Sequence, residues 1–170
     1  MPQYQTSRHV QHSAAHMFDL VANVERYPEF VPLCKSLRVR SRSAENGHDV
    51  ITATMTVAYK LLSESFTTRI VLDRQANEIR VSYINGPFKY LENVWSFRPT
   101  AENACVIGFR IAYEFRSRIL QAVMGAAFDT AFRKFADAFE ARADRIYGRP
   151  ERGDKTMAGQ GAPLKGSPSA

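Results

Sequence analysis

The pattern that most limits what this chain can become is residues 117–147, SRILQAVMGAAFDTAFRKFADAFEARADRIY. Phe128, Phe132, Phe135 and Phe139 fall at i, i+4, i+7 and i+11, and Leu120, Met124, Ala131 and Ile146 join the stripe. That spacing has the 3.6-residue period of a helix with one apolar face. Arg133, Lys134, Asp137, Glu140, Arg142, Asp144 and Arg145 fill the other side, and Gly148 before Arg149-Pro150 stops it. At 1.5 Å per residue the helix runs about 45 Å, long for a small domain.

Ahead of it the period changes to two. In NACVIGFRIAYEFR, Cys105, Ile107, Phe109, Ile111, Tyr113 and Phe115 share one face, opposite Gly108, Arg110, Glu114 and Arg116. This is the pattern of a half-buried antiparallel strand. Similar runs cover Leu37–Arg42, Asp49–Tyr59, Leu61–Asp73, Glu78–Tyr83 and Phe88–Pro99, broken by the turn sequences ENGH, RQAN and TAEN. Gln3–Val10 is a further strand candidate. Between it and the rest, Ser13 can cap a short helix over Ala14–Val21 that ends at Asn23. Pro28 and Pro32 restrict the next segment to one short helical turn.

Strand, two short helices, six strands and one long helix is an α+β order. It predicts a curved antiparallel sheet of about seven strands with the long helix in its concave side. That arrangement can leave a space between helix and sheet for an apolar ligand. The predicted domain is 1–148. Residues 149–170, RPERGDKTMAGQGAPLKGSPSA, are rich in Gly, Pro, Ser and Ala without apolar periodicity, and are expected to form a disordered tail.

Charge and cysteine content narrow the function classes. The net charge is +6; residues 149–170 carry +2 of it, leaving +4 on the domain. That is a mild attraction to anionic headgroups or RNA, and it equally suits a solvated surface. No run approaches the ~18 apolar residues of a spanning helix, and the N-terminus lacks the layout of a secretory signal. The expectation is a bacterial cytoplasmic protein, or one peripheral on the cytoplasmic membrane. Cys34 and Cys105 are too few for a disulfide framework or, alone, for a closed zinc site.

Catalytic motifs are thin. Cys34 beside Lys35 could be a thiolate stabilised by a cation, or a small apolar residue closing a loop. His9, His12 and His16 straddle a strand, a loop and a helix without a metal-ligand spacing such as HExxH, and read as exposed or capping residues. Glu64 and Glu92 are the carboxylates with a chance of facing the interior, but neither has a partner set by spacing. Gly86-Pro87 is a turn, because no phosphate-loop pattern is present. Lys60, Arg38, Arg40, Arg42, Arg69, Arg116 and Arg118 could contact phosphates or decorate a solvated sheet exterior.

Four stretches, LVANVERYPEFVPLCKSLRV, GPFKYLENVWSF, VIGFRIAYEF and AFRKFADAFEARADRIYG, resemble the coenzyme Q-binding proteins of the START-like, helix-grip superfamily. In bacteria the same family is labelled ribosome association toxin A, or cyclase/dehydrase-like. The likeness spans about residues 3–148. It implies a helix-grip fold with an elongated apolar cavity. It also implies binding of ubiquinone or a polyprenyl-quinone intermediate and delivery to respiratory or quinone-biosynthesis partners. The alternatives are association with the large ribosomal subunit and a cyclase/dehydrase-type enzyme. No catalytic residue, metal or cofactor other than the bound lipid is expected. The expected cavity wall is Leu91, Trp95, Phe109, Ile111, Tyr113, Met124, Phe128, Phe132 and Phe135. Tyr83, Asn93 or Tyr113 would orient the ring. Tyr27, Phe30, Val31 and Leu33 would form a lid or membrane-facing rim, with Lys35 near headgroups. The family often has an aromatic where this chain has Leu33, which removes an interfacial anchor there.

Overall fold

A computed structural model describes residues 3–149. The elements run β1 (Gln3–Val10), α1 (Ala14–Ala22), a 3₁₀ helix (Val24–Glu29), β2 (Cys34–Glu45), β3 (His48–Tyr59), β4 (Leu62–Asp73), β5 (Glu78–Asn85), β6 (Phe88–Ala101), β7 (Ala104–Phe115) and α2 (Arg118–Tyr147). The strands form one antiparallel sheet in the order β1-β7-β6-β5-β4-β3-β2. Hairpins link β2 through β7 in sequence. β1 lies on the far edge beside β7, and α1 with the 3₁₀ helix carries the chain across to β2. The predicted α+β class and curved sheet around a long helix are what the structure has.

Register shifts occur in β2 at Cys34/Ser36 and Val39/Ser41, between β4 and β5 at Thr67/Thr68, and between β6 and β7 at both ends. Such bulges bend the strand and raise local twist, which lets the sheet curl over α2. Gly86 closes the β5–β6 turn at φ +144; a Cβ there would lie 2.6 Å from Phe66 Cβ. Only glycine fits both that backbone and that approach.

Strand boundaries depart from expectation mainly in β2, which begins at Cys34 and runs on to Glu45. Its outer half is exposed on both faces, so no apolar alternation marks it; backbone pairing with β3 alone defines it. Leu61, expected in β4, sits instead in the two-residue β3–β4 turn, fully exposed.

α2 is capped by Ser117, whose hydroxyl accepts from Leu120 N at 3.2 Å. Its stripe seats Phe128, Phe132 and Phe139 in the core, but Ile146 is half exposed. Tyr147 replaces it, one turn beyond the buried Ala143, and stacks on His16 with ring centres 4.0 Å apart. Side-chain ties hold the distal half of the helix. Arg8 of β1 bonds Asp137 at 2.7 Å and Glu140 at 2.8 Å. Arg142 reaches Glu29 at 2.5 Å and lies over the Phe30 ring. His12, expected as an exposed or capping residue, is buried, and its Nε2 sits 2.8 Å from Asp144 Oδ1. Its neighbour in that pairing is 22% exposed, so removing the imidazole strands a largely desolvated carboxylate. His12→Ala is expected to cost about 1–3 kcal/mol in urea denaturation. An unchanged midpoint would show that the pairing contributes nothing.

Candidate ligand-binding site

Between α2 and the β2–β7 part of the sheet lies a cavity of about 120 Å³. Strand alternation builds its wall. Every second residue points inward: Phe66, Thr68 and Ile70 from β4; Leu91, Asn93 and Trp95 from β6; Phe109 and Ile111 from β7. α2 contributes Phe128, Ala131, Phe132, Phe135 and Phe139 one helical turn apart. The cover is the segment after α1, with Tyr27, Val31, Pro32 and Leu33. Tyr27 Oη donates to Val21 O at 2.5 Å, closing the end of α1, and burial pushes its phenol above the usual range. Leu33 has a left-handed backbone, φ 68, and its carbonyl accepts from Ala58 N at 3.0 Å. A branched side chain there is held at a cost, which fixes the corner against β3.

Of the nine expected wall residues, Leu91, Trp95, Phe109, Ile111, Phe128, Phe132 and Phe135 line the cavity, and Tyr113 and Met124 do not. After Met124 come three small residues, Gly125, Ala126 and Ala127. They let Tyr113 close on the helix: its hydroxyl lies 3.4 Å from Gly125 O, and a Cβ on Gly125 would meet Gln121 at 2.7 Å. Met124 is sealed in that packed end. Tyr83 is also withdrawn, its hydroxyl accepting from Phe88 N at 3.0 Å to tie the β5–β6 turn. Asn93 alone of the three ring-orienting candidates reaches the wall.

The segment expected as a lid or membrane-facing rim lies over the cavity. Tyr27, Val31 and Leu33 close the cavity, and Phe30 packs edge-on against Phe139 at 5.0 Å. Lys35 is exposed. The side of the cavity that the expected wall residues omit is the floor from β3 to β5, including Ala53, Met55, Val57 and Val81. The alternation in ITATMTVAY, with Thr52, Thr54 and Thr56 between them, carries that signal.

Among the described residues, the wall bears no Asp, Glu, His, Lys, Arg or Cys. Glu92 is exposed and Glu64 half-buried. Among the described residues no three His, Cys, Asp or Glu converge as a metal site would require, and no helix is long and apolar enough to cross a membrane. Cys34 is buried, its thiol 3.7 Å from Ser36 O, and desolvation pushes its pKa up to about 11. The thiolate is the reacting form, so alkylation at pH 7.5 should be slow and should rise about tenfold per pH unit until pH approaches 11. Mass-spectrometric iodoacetamide labelling tests this; rapid stoichiometric modification near neutrality would restore a reactive Cys34.

Residues 10–140 match the family described as polyketide cyclase / dehydrase and lipid transport. The chain belongs to that family. The ribosome association toxin RatA of Pseudomonas aeruginosa is 38% identical over 148 residues, covering 84% of this chain and 99% of the relative. The mitochondrial coenzyme Q-binding protein COQ10 homolog B of Xenopus laevis is 31% identical, covering 88% of this chain and 61% of the relative. A START superfamily protein from Mycobacterium smegmatis superposes with a TM-score of 0.71 at 19% identity, covering 85% of this chain and 98% of that one. That likeness concerns the fold, and the fold is START-like.

Proposed function

We propose that this polyketide cyclase/dehydrase-family chain is a carrier that holds the ring of ubiquinone, or of a polyprenyl-quinone intermediate, between α2 and the sheet. It would deliver that lipid to quinone-biosynthesis or respiratory proteins. The observation that carries this reading is the nearly all-apolar cavity, with Thr68 and Asn93 as its buried polar side chains. Its 120 Å³ is close to the ~150 Å³ of an apolar protein cavity that binds benzene. It therefore takes a ring-sized group, and most of a polyprenyl tail stays outside it. Apolar burial supplies the affinity, and the absence of an acid–base group on the wall supports binding over catalysis. The coenzyme Q-binding relative points the same way.

The protein purified without detergent should yield a quinone or prenylated ring on organic extraction and mass spectrometry. Consistent absence of any such lipid would count heavily against the reading.

Loading from a bilayer needs an apolar contact surface. The described residues with large exposed apolar side chains include Leu61 at the β3–β4 turn, Ile84 beside the β5–β6 turn, and Ile119 and Val123 on the first turns of α2. The main chain of Arg116 bonds Pro87 O at 2.9 Å, joining the start of α2 to the β5–β6 turn. Lys60, Arg116 and Arg118 are exposed at the same end, complementing anionic headgroups. This end, which Leu33 joins through the bond from Ala58 N to its carbonyl, is the proposed docking face. The double variant Leu61→Glu/Ile119→Glu should bind anionic vesicles at least about tenfold more weakly by flotation, with ring binding in solution unchanged. Equal vesicle binding by variant and wild type would refute this docking face.

Ribosome association is the second reading, favoured by the name of the Pseudomonas relative and the net charge of +6. It predicts co-sedimentation with large subunits that weakens steeply with salt.

A further inference from the structure

We propose that Asn93 makes the cavity selective for a neutral ring that carries a hydroxyl, a hydroquinone or phenolic precursor, over the corresponding quinone. This rests on the carrier reading above and names the chemical form of its ligand. Asn93 lies on β6 between Leu91 and Trp95, 8% exposed, with its side chain on the cavity wall. Its Nδ2 donates to the main-chain carbonyl of Arg110 at 2.8 Å. A carbonyl can only accept, so the amide cannot be turned over: the NH₂ must face Arg110. What remains for a ligand is Oδ1, which is an acceptor and nothing else. Among the described residues no protein donor reaches Oδ1, and the oxygen is not sealed away from the cavity.

The other polar groups on the wall do not discriminate. The Thr68 hydroxyl and the Trp95 indole N–H can each donate to a ring oxygen, and the oxygens of a quinone and of a hydroquinone both accept. Only a hydroxyl on the ligand can serve Asn93. A quinone leaves that acceptor unpaired against an apolar wall, whereas a hydroquinone pairs it. The wall also carries no charged side chain, so a ring bearing a carboxylate would be desolvated without a partner. The favoured ligand is therefore uncharged as well as hydroxylated.

The test is anaerobic isothermal titration of the full chain with a decyl-substituted dimethoxy-methyl benzoquinone and with its hydroquinone. Every ring carbon of this probe is substituted, so thiol addition is blocked. The hydroquinone should bind roughly tenfold tighter. Asn93→Leu should bring the two affinities within about twofold of each other, chiefly by weakening the hydroquinone. Thr68→Val, a near-isosteric change, should leave the preference in place. Equal or tighter quinone binding by the wild type overturns the proposal even if Asn93→Leu does not fold, and so does a preference that survives in Asn93→Leu. If the wild type binds neither form, the carrier reading itself falls; if it binds both alike, only the selectivity does.

Discussion

Replacing Ala53 with phenylalanine should abolish ring binding, by more than about 100-fold, while the fold persists. Ala53 is 2% exposed and lines the cavity from β3, directly across from Thr68 of β4 in the strand register. A phenyl group there would occupy the space the ligand ring needs. A buried ring removes on the order of 150 Å² of apolar surface from water, about 4 kcal/mol at 25 cal/mol per Å², and exclusion forfeits all of it. Strands tolerate phenylalanine well, and the new ring gains contacts with a wall that now faces a void. The cost of overpacking, about 1–3 kcal/mol, is the opposing effect, so the melting temperature should fall by no more than several degrees. Titration with the decyl hydroquinone and a thermal melt on the same sample read both quantities. Undiminished affinity would place the ring outside this cavity. Should Ala53→Phe unfold, Ala53→Leu narrows the same space with less strain.

A different site carries stability. Phe88→Ala is expected to destabilise the chain by about 3–5 kcal/mol and to lower its melting temperature by roughly 10–15 °C. Phe88 is wholly buried at the start of β6. Its ring meets Phe115 at 4.5 Å, Phe66 at 5.1 Å and Tyr83 at 5.7 Å, so it joins β4, β5, β6 and β7 at one end of the sheet. It does not line the cavity. Truncation therefore adds a void to a packed end where four strands must shift together to refill it. A loss under about 1 kcal/mol in urea denaturation would mean that the end repacks freely, contrary to this picture.

The two substitutions separate the functions of one apolar core. Its Phe88 end is filled and rigid. Its middle, around Ala53, Asn93 and Ala131, is left partly empty by small side chains on the wall.

Local periodicity made the elements legible. The four phenylalanines of α2 and the alternation of β7 each repeat over enough residues to exclude the other period, and Ser13 and Ser117 mark helix starts by chemistry that acts within four residues. The same alternation places Leu91, Trp95, Phe109 and Ile111 on one face of their strands. What periodicity cannot supply is depth. Tyr113 shares a face with Ile111, yet one belongs to a sealed end and the other to the cavity, because Gly125 lets the helix approach Tyr113 closely. Whether Tyr27 and Leu33 form a lid or a membrane-facing rim was open in the sequence, because aromatic and apolar residues flanking Pro28 and Pro32 have no local reason to turn either way. Their direction is set by Val21, Ala58 and Phe139, which are distant along the chain or on other elements.

By itself, then, the sequence determined the α+β order, the antiparallel strands and the apolar stripe of α2, all properties of short-range spacing and side-chain chemistry. Only the tertiary structure decided where that stripe packs tightly and where it leaves about 120 Å³ open, which residues close over the space, and which single amide stands on its wall with its NH₂ held by Arg110 O. The physical reason is that helix and strand patterns record which face is buried. A cavity is the volume left when several faces meet, and its size depends on every side chain that meets there.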